Sequence, residues 1–311
     1  MKRTLTVAAA AKINIGLDIG EPRADGYHPI VSIFHSVGVF DEIACAVEDG
    51  EGITVEGQFD CAPEATTVFK AASLFLRRAG ERRRVRLSVQ KGIPVKAGLG
   101  GGSADAAATI VALDRLLGTG LDCGAMRAIG GRVGADVPFF INGGAAIVSG
   151  LGEIIEPIAP RQDLGILLAM PPFGIATGWA YSELDAFRRT QGAPSPGGSG
   201  TLDSRDRKAA MASLFQRPAG EWDFANSFEP LLRARHPVYA QLSERLREEG
   251  AQYAAITGSG ACMYGIFPSF DAAQAACGRL EAPQRLPAGL KTLSGMVLRA
   301  VKPLETSIFL R

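Results

Sequence analysis

The sequence predicts a mixed α+β chain in two domains, residues 1–160 and 161–311, on three observations. A chain of 311 residues is long enough for two ordinary domains and a sizeable core. Strand-like and helix-like stretches follow one another along its whole length, and no internal repeat orders them. Near Ala159 to Gln162 the character shifts, and a polar break gives way to Leu164 to Met170, an unbroken apolar run that reads as a central strand.

Taken in order, Leu5 to Leu17 reads as a strand with Lys12 and Asn14 set among alanine and isoleucine. Asp25-Gly26 marks a turn, and Tyr27 and His28 follow it. Asp41 to Phe59 is expected to form hairpin strands, with Gly50, Gly52 and Gly57 as turn signals. Glu64 to Ala79 places Val68, Ala71, Ala72, Phe75 and Leu76 on one helical face. Val85 to Gln90 alternates apolar and polar residues as a half-buried strand does, and Ala106 to Leu117 is rich in helix formers. Ala145 to Val148 and Glu153 to Ile158 look like paired strands. Beyond the break, helices are expected over Thr177 to Arg189, Ser204 to Phe215, Asn226 to Arg235, Val238 to Glu249 and Asp271 to Leu280. Gln191 to Gly200 is a low-complexity loop, and Lys291 to Leu304 a closing strand.

Composition excludes several classes. An apolar fraction of 47% and a charged fraction of 21% read as globular rather than disordered. A formal charge of +1 provides no field to draw in nucleic acid or an acidic membrane. The arginines at 77–78 and 82–84 read as a solvated face. No apolar stretch approaches the ~18 residues of a membrane span. Lys2 and Arg3 before LTVAAAA resemble a short export signal, but Lys12 and Asn14 interrupt it. The five cysteines form no C-x-x-C pair, which suits reduced thiols in a cytoplasmic protein. The three histidines are scattered, and no metal cluster is expected.

One stretch organises the rest: Lys91 to Leu117, KGIPVKAGLGGGSADAAATIVALDRLL. Strand, glycine loop and helix make a device for holding an anion, because glycine lets the backbone approach a ligand and the first helical amides lack partners within the helix. No Lys-Ser or Lys-Thr follows the last glycine, so this is not a Walker A loop; nor is it the dinucleotide fingerprint, whose third glycine would fall at Ser103 or Asp105. A plain turn capped by Ser103 is the bland alternative. Lys12 is either a surface residue of an edge strand or a buried functional cation. Asp136, between Gly134-Ala135 and Val137-Pro138, is either paired or used chemically, or it caps a helix or turn. Tyr27 and His28 offer a stacking face and a donor–acceptor pair, or simply pack on the core.

Lys12-Ile13-Asn14, PVKAGLGGGSADAA (Pro94 to Ala107) and GSGA (Gly258 to Ala261) together resemble the GHMP small-molecule kinases. AKINIGLDI, RADGYHPI, GADVPFFINGGAAIVSGLGE, NSFEPLL and TGSGACMYGIF sharpen the resemblance to the branch of that family acting on a cytidylated methylerythritol, and together they span nearly the whole chain. The resemblance implies an N-terminal ribosomal-protein-like α/β domain, a C-terminal ferredoxin-like α+β domain, and a site in the cleft between them. It implies transfer of the ATP γ-phosphoryl group to a tertiary 2-hydroxyl. ATP would bring Mg²⁺ with it, and the partner would be a cytidyl-diphospho sugar alcohol. The chain would be a monomer or weak homodimer.

Roles follow from the same resemblance. Gly98, Leu99, Gly100, Gly101, Gly102 and Ser103 would wrap the ATP phosphates, with Pro94 and Asp105 also at the nucleotide. Asp136 would take the proton of the attacking hydroxyl, and Lys12 would lie beside it. His28 would hydrogen-bond the cytosine edge, and Tyr27 and Tyr181 would stack on its ring. Asn14 and Thr177 would face the methylerythritol phosphate, and Gly258 and Ser259 would support the cleft. Many relatives carry two serines after the glycines, whereas this chain has Ser103-Ala104; if the second hydroxyl contacts phosphate or Mg²⁺ there, that contact is lost here, with Asp105 or water as the substitute. The rival readings are another GHMP kinase of the homoserine or mevalonate type, which Asp25 to His28 would tell apart, and a non-catalytic nucleotide-binding homologue, against which Lys12 and Asp136 stand.

Overall fold

A computed structural model describes residues 2–191, 205–281 and 295–311. Two long strands, β1 (Arg3–Ile19) and β2 (Ile30–Glu48), pair antiparallel along nearly their whole length. β3 (Gly52–Gly57), α1 (Thr67–Ala79) and β4 (Arg84–Gln90) then form a crossover unit. α2 (Gly101–Leu117), α3 (Cys123–Val133) and α4 (Val137–Asn142) lead into the antiparallel pair β5 (Ala145–Gly150) and β6 (Ile154–Ile158).

The expected hairpin over Asp41 to Phe59 does not form. β3 runs parallel to β4, with Gly52 opposite Arg84, and has no pairing with β2. The edge of β2 that a hairpin partner would need is taken by β4, in antiparallel register from Glu42↔Gln90 to Glu48↔Arg84. Parallel neighbours need a crossover, and α1 provides it.

α2 begins five residues earlier than its alanine run suggests. Gly100 is its N-cap, and Ser103 lies inside the helix rather than capping it. The alanines have a packing reason. Ala104, Ala106, Ala107, Ala108 and Ala112 are all fully buried, and the helix touches β1, β2, α1, α3 and α4. A helix covered on most sides needs small side chains to let its neighbours approach, and its apolar surface is no longer one stripe. α3, which the pattern of the sequence did not announce, buries only Ile129, Gly130 and Val133.

The second sheet has the order β10-β7-β9-β8, built from β7 (Gly165–Met170), β8 (Tyr253–Ile256), β9 (Met263–Phe267) and β10 (Val297–Val301). β7 is central in it. Leu167 and Ala169 belong to a core shared with α7 (Glu229–Arg235) and α8 (Val238–Glu248), while Ile166, Leu168 and Met170 join the core of the first sheet. Both faces are covered, so the run is apolar throughout. α5 (Thr177–Gln191), α6 (Arg205–Phe215) and α9 (Phe270–Glu281) complete the described helices. The closing strand is shorter than expected, and the chain then recrosses: β11 (Ile308–Leu310) adds to the first sheet beside Val7 to Ala9. A cut after residue 160 therefore separates the two sheets apart from β11. The loop through Gly200 and the start of the expected strand at Lys291 lie outside the described residues. No helix among the described residues is long and apolar enough to cross a membrane.

Candidate active site

A cleft of about 860 Å³ lies between the two sheets, and the glycine loop forms one of its walls. The loop is fastened to the second sheet by its carbonyls. Lys96 O accepts from Ile175 N (3.0 Å) and Ala261 N (3.3 Å), and Ala97 O accepts from Cys262 N (3.1 Å). Thr257 Oγ1 donates to Gly98 O at 3.2 Å. At the other end of the loop, Leu99 O accepts from the amide of Lys12 on β1 (3.0 Å). The carbonyls are thus used for anchoring. Gly98 and Gly100 adopt φ of 75° and 76°, the left-handed region that only glycine enters cheaply.

Lys12 and Asp136 meet at the floor of this cleft. Lys12 is buried; its Nζ is 3.6 Å from Asp136 Oδ2, donates to Asn14 Oδ1 at 2.5 Å and lies 4.5 Å from the centre of the Phe34 ring. Burial holds its pKa below the ordinary lysine value, and the charge of Asp136 opposes that shift. Asp136 occupies the N-cap position of α4, yet its side chain makes no capping bond there. The capping alternative is therefore not what this carboxylate does. Asn14 is held by Ser32, to whose Oγ its Nδ2 donates at 3.0 Å, and by Thr257, whose Oγ1 accepts from its backbone amide at 3.0 Å.

Under the first turn of α2 sits a buried ionic triad. Lys91 Nζ donates to Asp105 Oδ2 (2.8 Å) and to Asp41 Oδ2, while Asp41 Oδ1 accepts from the amides of Gly92 and Ile93. Burial pushes Asp105 up to about 7, with Lys91 opposing and Asp41 adding to the shift. Burial opposes the charge on Lys91, but its two carboxylates outweigh it and raise its pKa. Asp105 lines the cleft with its carboxylate committed to Lys91, and its Oδ1 is buried without a hydrogen-bond partner. Ala104 is fully buried in the core and does not line the cleft, so the missing second serine removes no group that faces it.

On the opposite side, Thr177 and Ser259 face each other with hydroxyl oxygens 3.3 Å apart. Tyr181 lines the cleft, and burial together with the charge of Asp136 pushes its hydroxyl up to about 12. Tyr27 and His28 depart from expectation, since neither lines the cleft. Tyr27 is 64% exposed at the β1–β2 turn. His28 is buried one layer behind Tyr181, with ring centroids 5.1 Å apart at 30°. Its Nδ1–H donates to Gly20 O (3.0 Å), where Gly20 N also donates to Pro29 O, so closing the turn draws the imidazole inward. Nε2 is 3.4 Å from Asp185 Oδ2.

All the other expected site residues line this one cleft: Lys12, Asn14, Pro94, the loop from Gly98 to Ser103, Asp105, Asp136, Thr177, Tyr181, Gly258 and Ser259. Sequence reasoning missed Lys91, Lys96, Thr67 and Thr257. Thr67 Oγ1 donates to Gly102 O at 2.6 Å and ties α1 to the loop. Lys91 and Lys96 were legible as cations flanking the glycines, whereas the two threonines carried no local signal.

Comparison with known proteins agrees with this geometry. Residues 66–144 match the GHMP kinases N terminal domain and residues 206–285 match GHMP kinases C terminal. The chain is 36% identical over 292 residues to a 4-diphosphocytidyl-2-C-methyl-D-erythritol kinase of Nitratidesulfovibrio vulgaris (strain DP4), covering 90% of this chain and 96% of the relative. It is 32% identical over 276 residues to the protein of the same name from Geobacter metallireducens, covering 88% and 93%. Among solved structures, a 4-(cytidine 5'-diphospho)-2C-methyl-D-erythritol kinase superposes with a TM-score of 0.71 at 27% identity, over 97% of this chain and 99% of that one. A homoserine kinase from Cytophaga hutchinsonii gives a TM-score of 0.74 at 17% identity, over 100% and 98%. That likeness speaks for the fold alone.

Proposed function

This chain belongs to the GHMP kinases, and from that premise we propose its reaction: ATP-dependent phosphorylation of the 2-hydroxyl of 4-diphosphocytidyl-2-C-methyl-D-erythritol, giving the 2-phosphate and ADP in isoprenoid precursor biosynthesis. The observation that carries the reading is the Lys12–Asp136 pair at 3.6 Å, beside a glycine loop whose Leu99 carbonyl is bonded to the Lys12 amide.

In this reading the amides at the start of α2 receive the triphosphate. A helix N-terminus contributes only about 0.3–2 kcal/mol toward an anion, so several amides and cations share the load. Asp136 accepts the proton of the acceptor hydroxyl. The oxygen of that hydroxyl bonds to the γ-phosphorus as the bond from that phosphorus to the β–γ bridging oxygen breaks, and ADP leaves. Lys12 favours the charge that develops on the attacking oxygen. Asn14, which accepts from Lys12 Nζ, aims the ammonium. Among the described residues, no group of three or more His, Cys, Asp or Glu could hold a metal ion unaided. A Mg²⁺ would arrive with ATP. Ser103 and Asp105, whose Oδ1 has no other partner, are the side chains that would meet it. When bound, the ion neutralises phosphate oxygens.

For the acceptor, cytosine stacks on Tyr181, and His28 backs that ring instead of reading the base edge. His28→Ala is expected to raise KM for the cytidylated substrate about tenfold, within the ~1–3 kcal/mol of a base–aromatic stack, and to leave kcat within about twofold. An unchanged KM would end the assignment. The whole reading is tested by ADP release over a panel of acceptors containing the cytidylated compound, homoserine and mevalonate. Turnover on either of the last two but not the first would replace the substrate while leaving the family.

A further inference from the structure

Lys96 stands apart in this cleft. Among the described residues it is the one non-glycine with a left-handed backbone, φ 57°. Its carbonyl is held by the amides of Ile175 and Ala261, and a Cβ placed at Gly174 would come within 2.7 Å of its own Cβ. The backbone is therefore pinned, and the side chain leaves it in a set direction, along the cleft wall. Its Nζ is 2.7 Å from Asp60 Oδ2. Asp60 comes from the connection between β3 and α1, the wall facing the glycine loop, and both residues line the cleft. Both side chains are more than half exposed. An exposed ion pair contributes little, less than a left-handed backbone costs a residue carrying a Cβ. The pair alone does not account for a lysine at this position, four residues ahead of the N-cap of α2.

We propose that Lys96 is a phosphate-binding residue of the nucleotide site, parked on Asp60 in the free enzyme and transferred to an oxygen of the ATP triphosphate on binding. The inference deepens the reading of the cleft as an ATP site and rests on it. The exchange is favourable because a triphosphate carries several charges where Asp60 carries one. Asp60 then acts as a competitor for the ammonium, and the two members of one ion pair have opposite effects on affinity.

The test is equilibrium binding of ATP and of adenosine to the full chain, by titration calorimetry, with wild type, Lys96→Met, Asp60→Asn and the double variant. Lys96→Met is expected to weaken ATP by about tenfold, to leave adenosine unchanged, and to raise KM for ATP by a similar factor. Asp60→Asn is expected to tighten ATP by about threefold, because it frees the ammonium. The double variant is expected to match Lys96→Met alone, since Asp60 acts only through Lys96. Lys96→Arg should retain most of the affinity. Equal weakening by the two single variants would make the pair a structural strap and overturn the proposal. So would a loss of adenosine affinity in Lys96→Met, or ATP affinity indifferent to it. A wild-type chain that binds neither ligand would instead overturn the ATP reading beneath.

Discussion

Asp136→Asn is expected to lower kcat by about 10²–10⁴-fold, the usual contribution of a positioned general base, and to lower thermal stability as well. The two halves of this expectation have separate grounds. Turnover falls because an amide cannot accept the hydroxyl proton. Stability falls because the buried Lys12 ammonium loses the charge that opposes its burial, even though the side chain makes no capping bond at α4 that could be lost. Undiminished turnover would remove Asp136 from the chemistry.

The same variant has a pH signature. Burial already holds Lys12 below the ordinary lysine value, and Asp136 opposes the shift. Activity that needs the ammonium is present while Lys12 is protonated and falls as pH rises through its lowered pKa. The alkaline limb of kcat in the wild type is therefore expected below pH 10.5, the unperturbed lysine value. With Asp136→Asn the opposing charge is gone, burial acts alone, and the residual activity should lose its alkaline limb at still lower pH. A limb that stays in place, measured over the same buffers, would mean that Lys12 is not the titrating group.

Why some of this was legible in the sequence and some was not follows from distance along the chain. β4, α2 and β7 could be read because each carries its burial in its own composition: alternation, alanine, or an unbroken apolar run. The choice between a surface and a buried Lys12 could not be made from its neighbours and turned on Asp136, which belongs to another element. β3 was assigned to the wrong neighbour because glycines mark where the chain turns and not which edge is free; β4 had taken the edge of β2. The position of His28 behind the cleft wall is not legible in the sequence, since its orientation depends on a hydrogen bond to Gly20 across the turn. The Lys91–Asp41–Asp105 triad joins residues 50 and 14 positions apart, and Thr257 reaches Asn14 across 243. No periodicity encodes such pairs. The triad is set by the pairing of β4 with β2 and the seating of α2 on that sheet, and the Thr257–Asn14 contact by the docking of the second sheet on the first.

Gly98→Ala is expected to be the most damaging single methyl in the cleft. Two costs add at this position. The backbone sits at φ +75°, which costs an L-residue about 1–2 kcal/mol. The new Cβ would also lie 2.3 Å from Thr257 O and 2.9 Å from Gly260 O, both backbone atoms of the second glycine cluster, and neither can swing aside as a side chain would. Forcing such a contact apart costs about 1–3 kcal/mol, so the total is roughly 2–5 kcal/mol against a native stability of about 5–15. Gly118→Ala is the matched control: its φ is +65°, and nothing lies within 4 Å of the added Cβ. It should show the backbone cost alone and keep its nucleotide affinity. The damage at Gly98 should reach function as well, because Thr257 Oγ1 touches both the Gly98 carbonyl and Asn14, the residue that steers Lys12. Displacing Thr257 therefore moves the cation away from its place beside Asp136. Urea midpoints and ATP affinity measured on both variants decide the matter. If Gly98→Ala were no worse than Gly118→Ala on either measure, the contact between the two glycine clusters would be soft, and the close docking that brings Lys12, Asp136 and the phosphate loop together would have to come from elsewhere.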